Sequence, residues 1–144
     1  MNANELTTRI VGQVLTTVIL VLTLATAYVH LSLGGLLFTL NGLGYLVLAA
    51  GVAASALPIA FVRRLRWLPR IGLAGFALVT VGAYLVTGTY FTLGWATKAI
   101  EVAIIGVVAA DLINTYGSAR RLERVRVVSA ERSPGRPAAG SIDA

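Results

Sequence analysis

Long apolar runs separated by short gaps are the first pattern along this chain. Runs over residues 10–29, 36–57, 71–90 and 95–115 each hold about twenty residues with few charges, and a helix of about 20 apolar residues reaches across the hydrocarbon of a bilayer. Spanning strands would have to close into a barrel and alternate apolar with polar positions, which these runs do not do. The expected fold is therefore all-α, a transmembrane four-helix bundle running up-down-up-down. Residues 1–116 form its membrane domain and 117–144 a basic tail. In the tail Leu122, Val125 and Val128 recur every third position among Arg120, Arg121, Glu123, Arg124 and Arg126, as in a short amphipathic helix lying on a membrane surface. The final SPGRPAAGSIDA is too rich in Pro, Gly and Ala to fold alone.

A finer period runs inside the spans. Gly12, Thr16, Ile19, Thr23, Thr26 and His30 share one face of the first, and small or polar residues let helices approach closely where lipid leaves no hydrophobic attraction between them. Gly72, Gly75, Val79, Gly82, Val86 and Thr89 repeat the device on the third, and Ala99, Ala103, Gly106 and Ala110 on the fourth. All three stripes are expected to be packing faces. On the second span Gly51 and Ser55 form a small-xxx-small pair, NGLGYL reads as a packing segment, and Pro58 should bend or end the helix.

Composition supports the membrane reading. The chain is 57% hydrophobic and only 12% charged, whereas soluble domains carry roughly 25% charged residues. Its net charge of +6 gathers in two clusters, Arg63, Arg64, Arg66 and Arg70 after the second span and Arg120, Arg121, Arg124 and Arg126 after the fourth. By the positive-inside rule both clusters face the cytoplasm, so the expected location is the inner (plasma) membrane, multi-pass, with both termini cytoplasmic. These arginines are expected to meet anionic lipid headgroups rather than nucleic acid. The opposite connections, 30–35 and 91–94, hold no arginine or lysine, and Tyr28, Tyr90, Phe91 and Trp95 fall at the outer boundary, with Trp67 at the inner one. One rival reading takes Ala25-Thr26-Ala27 as a signal-peptide cleavage site, against which Glu5 cancels Arg9 and the apolar run is long for a signal. Lys98 is the only lysine, and the wealth of Arg, Ala, Gly and Val suggests a GC-rich bacterial genome.

Candidate chemistry is sparse. There is no cysteine, so disulfides and thiolate metal sites are excluded. One histidine and Met1 cannot supply paired haem ligands, zinc lacks ligands, and no phosphate-binding loop is present. No catalytic, cofactor or metal residues are assigned, and the chain is not expected to be an enzyme. What remains are ionisable groups within the fourth span, costly in lipid and hence functional candidates: Lys98, Glu101 and Asp111. Lys98 and Glu101, three apart, can pair on adjacent faces, with Lys98 snorkelling outward. His30, Asn41, Tyr45 and Tyr84 lie at similar depth on the other spans, so the six form either a set of interhelical hydrogen bonds or a polar cavity that binds a ligand or relays protons. Glu101 points opposite to the small stripe of its own span, so if the stripe packs within one chain, Glu101 faces a second copy. Asp111, near Gln13 and Asn114 in depth, reads as a hydrogen-bonded helix-end residue.

The stretch YVHLSLGGLLFTLNGLGYLVLAA, residues 28–50, resembles small uncharacterised four-span integral membrane proteins of GC-rich bacteria, a likeness that implies architecture only. The chain is similar in size to four-span small multidrug transporters, but their first-span carboxylate has no counterpart here. The leading expectation is a structural or accessory subunit or homo-oligomer. The alternative is a small transporter or channel with an outer-leaflet polar cavity around Glu101.

Overall fold

A computed structural model describes residues 3–59, 61, 64–88 and 90–117. Among them the chain is helical with no strand: α1 (Ala3–Leu33), α2 (Leu36–Ala54), α3 (Trp67–Thr87) and α4 (Thr92–Leu112), the last continuing as a π-helical turn over Ile113–Gly117. Three segments, Glu5–Leu33, Leu36–Ala54 and Trp67–Thr87, are long and apolar enough to cross a membrane. The fourth helix is distinguished by three buried ionisable side chains, Lys98, Glu101 and Asp111.

The helix ends follow local chemistry. Only Gly34 and Gly35 separate α1 from α2, with φ of 67° and 83°, a left-handed backbone that glycine adopts without a Cβ penalty. His30 lies inside α1 and Gly94 inside α4, so the connections between α1 and α2 and between α3 and α4 are shorter at those points than the sequence suggested. At its far end α2 stops at Ala54, and turns over residues 55–57 carry the chain to Pro58, which disfavours helical backbone at Leu57. Pro69 sits in the first turn of α3, where its missing N–H leaves no intrahelical bond unmade.

The helices form a closed ring of neighbours, α1 against α2, α2 against α3, α3 against α4, and α4 back against α1. The carboxyl end of α1 meets the middle of α2 and of α4 through His30, Tyr45 and Glu101, while Arg70 at the start of α3 reaches both Ser55, just past the end of α2, and Asp111 at the end of α4. Successive helices thus run in opposite senses. The core holds Ile19, Val52, Leu73, Ala77, Ile104 and Val108. Gly42 brings α2 close to α1, since a Cβ there would lie 2.7 Å from Leu31 Cγ and 3.1 Å from the Ala27 carbonyl oxygen, and one at Gly44 would meet the Phe76 ring at 2.6 Å. The NGLGYL segment is therefore a packing surface.

Polarity is distributed inside out. Val47, Leu78, Val79 and Val86 are exposed, whereas Thr23, Thr26, His30, Thr80, Lys98, Glu101 and Asp111 are buried. The α1 stripe packs as expected, with Ile19, Thr23, Thr26 and His30 buried. The other two do not: Gly72, Gly75, Val79, Gly82 and Val86 on α3, and Ala99, Ala103, Gly106 and Ala110 on α4, are exposed. On those helices the inward faces are Leu73, Ala77 and Thr80, and Gly94, Thr97, Lys98, Glu101, Ile104, Val108 and Asp111. Interhelical hydrogen bonds and ion pairs select the inward face there, and the small residues are left outside. Glu101 consequently looks into its own chain, not toward a second copy. Thr89 lies outside the described residues.

Candidate functional site: a buried ion-paired network beside a cavity

All four helices contribute to one polar cluster. From α4, Lys98 and Glu101 stand one turn apart, and Lys98 Nζ lies 2.6 Å from Glu101 Oε2. Lys98 is 8% exposed and Glu101 not at all, so the lysine does not snorkel outward as expected; it turns to the carboxylate. Its ammonium also approaches the Thr80 carbonyl oxygen at 3.4 Å and stands 5.5 Å from the centre of the Tyr84 ring, an arrangement in which the ring face attracts the cation.

Thr80, on α3, links the ion pair to α2. Its hydroxyl lies 2.9 Å from Glu101 Oε2, 2.9 Å from Tyr45 Oη and 2.9 Å from the Ala77 carbonyl oxygen. A hydroxyl has one proton to give, and the carboxylate is the strongest of these acceptors. Thr80 therefore donates to Glu101, and Tyr45 donates to Thr80, giving a directed chain of hydrogen bonds that ends on the carboxylate. Glu101 Oε2 is thus doubly held.

Glu101 Oε1 is not. It is buried without a hydrogen-bond partner, and His30 Nε2 stands 3.6 Å from it, beyond hydrogen-bond range. The other ring nitrogen, Nδ1, lies 2.9 Å from the Thr26 carbonyl oxygen. A carbonyl only accepts, so Nδ1 carries a proton. The ring is flanked by Phe38 and Tyr45, at 6.2 and 5.6 Å between centres.

Beside this network lies a cleft of about 390 Å³, bordered by His30, Asn41, Thr80, Tyr84 and Lys98 among the apolar walls Phe38, Phe76 and Phe91. Cavities of a few hundred Å³ that are mostly apolar with a few converging polar groups are the usual form of small-molecule sites. Gly94 permits the Tyr84 wall: a Cβ there would stand 2.5 Å from Tyr84 Oη. Tyr84 packs edge-on against Tyr90 and Trp95, which stack on each other at 5.8 Å.

Five of the six polar positions read from the sequence, His30, Asn41, Tyr84, Lys98 and the Tyr45 that backs them through Thr80, meet at or behind this cleft, and the sixth, Glu101, is the buried anion that Lys98, Thr80 and His30 face. Thr80 is the member that sequence reasoning missed. A threonine within the apolar run ALVTVG has no feature of its own to mark it, and only its register opposite Glu101 does.

At the other end a second ion pair replaces a helix-end hydrogen bond. Arg70 Nε lies 2.5 Å from Asp111 Oδ2, and the same guanidinium reaches Ser55 Oγ at 2.9 Å, the Arg66 carbonyl at 2.8 Å and Thr16 Oγ1 at 3.4 Å. Arg70, expected at lipid headgroups, instead turns inward, with 11% of its side chain exposed. Arg64 and Arg66 are exposed, and Arg66 stands 5.7 Å over the Tyr116 ring. Gln13, expected near Asp111, is exposed, and Asn114 reaches the Thr8 carbonyl. Arg63, Arg120, Arg121, Arg124 and Arg126 lie outside the described residues.

Among the described residues no group of three or more His, Cys, Asp or Glu side chains is placed to hold a metal ion. What the residues define is a class: an all-helical chain with apolar, membrane-compatible helices and a buried polar interior. Comparison with protein-family models, with curated proteins and with solved structures finds no match to the chain.

Proposed function

We propose that this protein is a non-enzymatic, four-span integral membrane protein that binds a small ligand in the cleft bordered by Lys98, His30 and Asn41, as a small carrier or channel would. In this reading α4 is the fourth span of an up-down-up-down bundle, the arginines around 63–66 and in the tail face anionic lipid in the cytoplasm, and the cleft opens on the outer side of the inner (plasma) membrane. The observation that carries the reading is the full burial of Glu101, ion-paired and hydrogen-bonded, behind a cavity of ligand size. A charge placed in an apolar bundle is costly, and a bundle needing only stability is served as well by apolar residues of similar volume.

The ligand suited to such a wall has a hydrogen-bond-accepting head for Lys98 and Asn41 and an apolar body for Phe38, Phe76 and Phe91. A thermal-shift screen of small carboxylates, amides and phenols against the detergent-solubilised protein tests this. Ligands that raise the melting temperature of the native chain but not of Ala83→Trp, which fills the cleft, support the reading. Equal shifts in both proteins, or none with any compound, count against it.

A second reading, a homo-oligomer or the accessory subunit of a larger membrane assembly, is favoured by the outward stripes of α3 and α4, where Gly75, Gly82 and Gly106 have open space at their Cβ positions. A native-detergent mass measurement distinguishes a lone chain from either assembly.

A further inference from the structure

We infer that His30 Nε2 and Glu101 Oε1 form a binding site for a single proton, filled from the adjacent cleft. The site rests on the cleft reading for the proton's route of entry. Its donor and acceptor arithmetic stands independently.

The Thr26 carbonyl fixes the proton on Nδ1, so a neutral imidazole presents a bare lone pair at Nε2. The atom facing that lone pair is Glu101 Oε1, a carboxylate oxygen 3.6 Å away with no other partner. Two acceptors confront each other in a buried place, an arrangement that costs free energy as long as nothing lies between them. One proton on Nε2 converts the confrontation into a charge-assisted hydrogen bond once the pair closes by several tenths of an ångström. The proton comes from hydronium in the water of the cleft, which His30 borders: one O–H bond of the hydronium breaks, the N–H bond forms and a neutral water is left.

The charges facing His30 set the consequence. On α4 are Glu101 and, bound to its other oxygen, Lys98; on α2 is Tyr45; on α3 Tyr84 borders the same cleft. With His30 neutral, Lys98 and Glu101 cancel. With the proton bound, the cluster carries one net positive charge beside the cleft, and Glu101 is held from both sides. An anionic ligand in the cleft then favours proton uptake, and by linkage the proton favours the anion equally.

The chain contains one histidine, so a protein labelled with ¹⁵N-histidine and ¹³C-glutamate gives imidazole signals that all belong to His30. The full chain is reconstituted in lipid nanodiscs and followed by NMR from pH 5 to 9. Nδ1 should remain protonated throughout, while Nε2 passes from protonated to bare, and its dipolar coupling to a glutamate carboxyl carbon should be stronger at the acid end. Glu101→Gln should abolish that coupling, since Glu101 is the carboxylate that faces Nε2. If Glu101→Gln fails to fold, the pH-dependent coupling in the native chain decides alone. An Nε2 state that does not change across the range, a coupling that ignores pH, or a coupling that persists in folded Glu101→Gln would overturn the inference. Failure of ligands to bind the cleft would leave the titration in place, so the two readings fail separately.

Discussion

Lys98 and Glu101 sit one turn apart on α4 with 2.6 Å between ammonium and carboxylate, and both are buried. Each therefore depends on the other. Lys98→Leu leaves a buried carboxylate whose remaining donor is Thr80, and breaking a buried pair in this way costs about 3–5 kcal/mol. Replacing both by Lys98→Met and Glu101→Gln should restore most of that loss. The check is melting temperature in one detergent for the native chain, the single variant and the double variant.

Thr80→Val keeps the shape of the side chain but removes the hydroxyl between Tyr45 and Glu101. Tyr45 Oη is then buried without its partner, a loss of about 1–3 kcal/mol. Thr80→Ser retains the hydroxyl and should stay close to the native chain, and thermal denaturation of the two variants side by side tests the difference.

Arg70→Leu should be among the most destabilising single changes at the other end of the helices, because it strands Asp111, 1% exposed, and removes the donor that joins Ser55, Arg66 and Thr16. Arg70→Lys offers one ammonium where a planar fork bonded several groups and should recover only part of the loss. Equal melting temperatures for Arg70→Leu and the native chain would show the pair to be ornamental.

Much of this arrangement was legible in the sequence, and the reasons differ by element. Helix positions followed from apolar runs: spans expected at 36–57 and 71–90 are Leu36–Ala54 and Trp67–Thr87. The inward face of α1 followed too, because its stripe contains threonines and a histidine, which have a reason to be inside a membrane protein. The stripes of α3 and α4 misled because glycine and alanine suit a close helix contact and an empty surface equally well. On α4 the three ionisable residues were the stronger signal, and they occupy the face opposite the stripe. The six polar positions were readable from their common depth, whereas Thr80 and the Arg70–Asp111 pair required knowing which turns of two different helices stand side by side.

The chain has no cysteine, so single introduced cysteines report without background. Ala83 borders the cleft, while Ala103 lies on the outward face of α4, where lipid would cover it. With Ala83→Cys and Ala103→Cys in intact cells, a membrane-impermeant thiol reagent added outside should label Ala83→Cys and leave Ala103→Cys unmodified until the membrane is dissolved. That result requires both the bundle and a water-filled cleft open to the outer side. Protection of Ala83→Cys in intact cells, with labelling only when the reagent reaches the cytoplasmic face, would contradict the account.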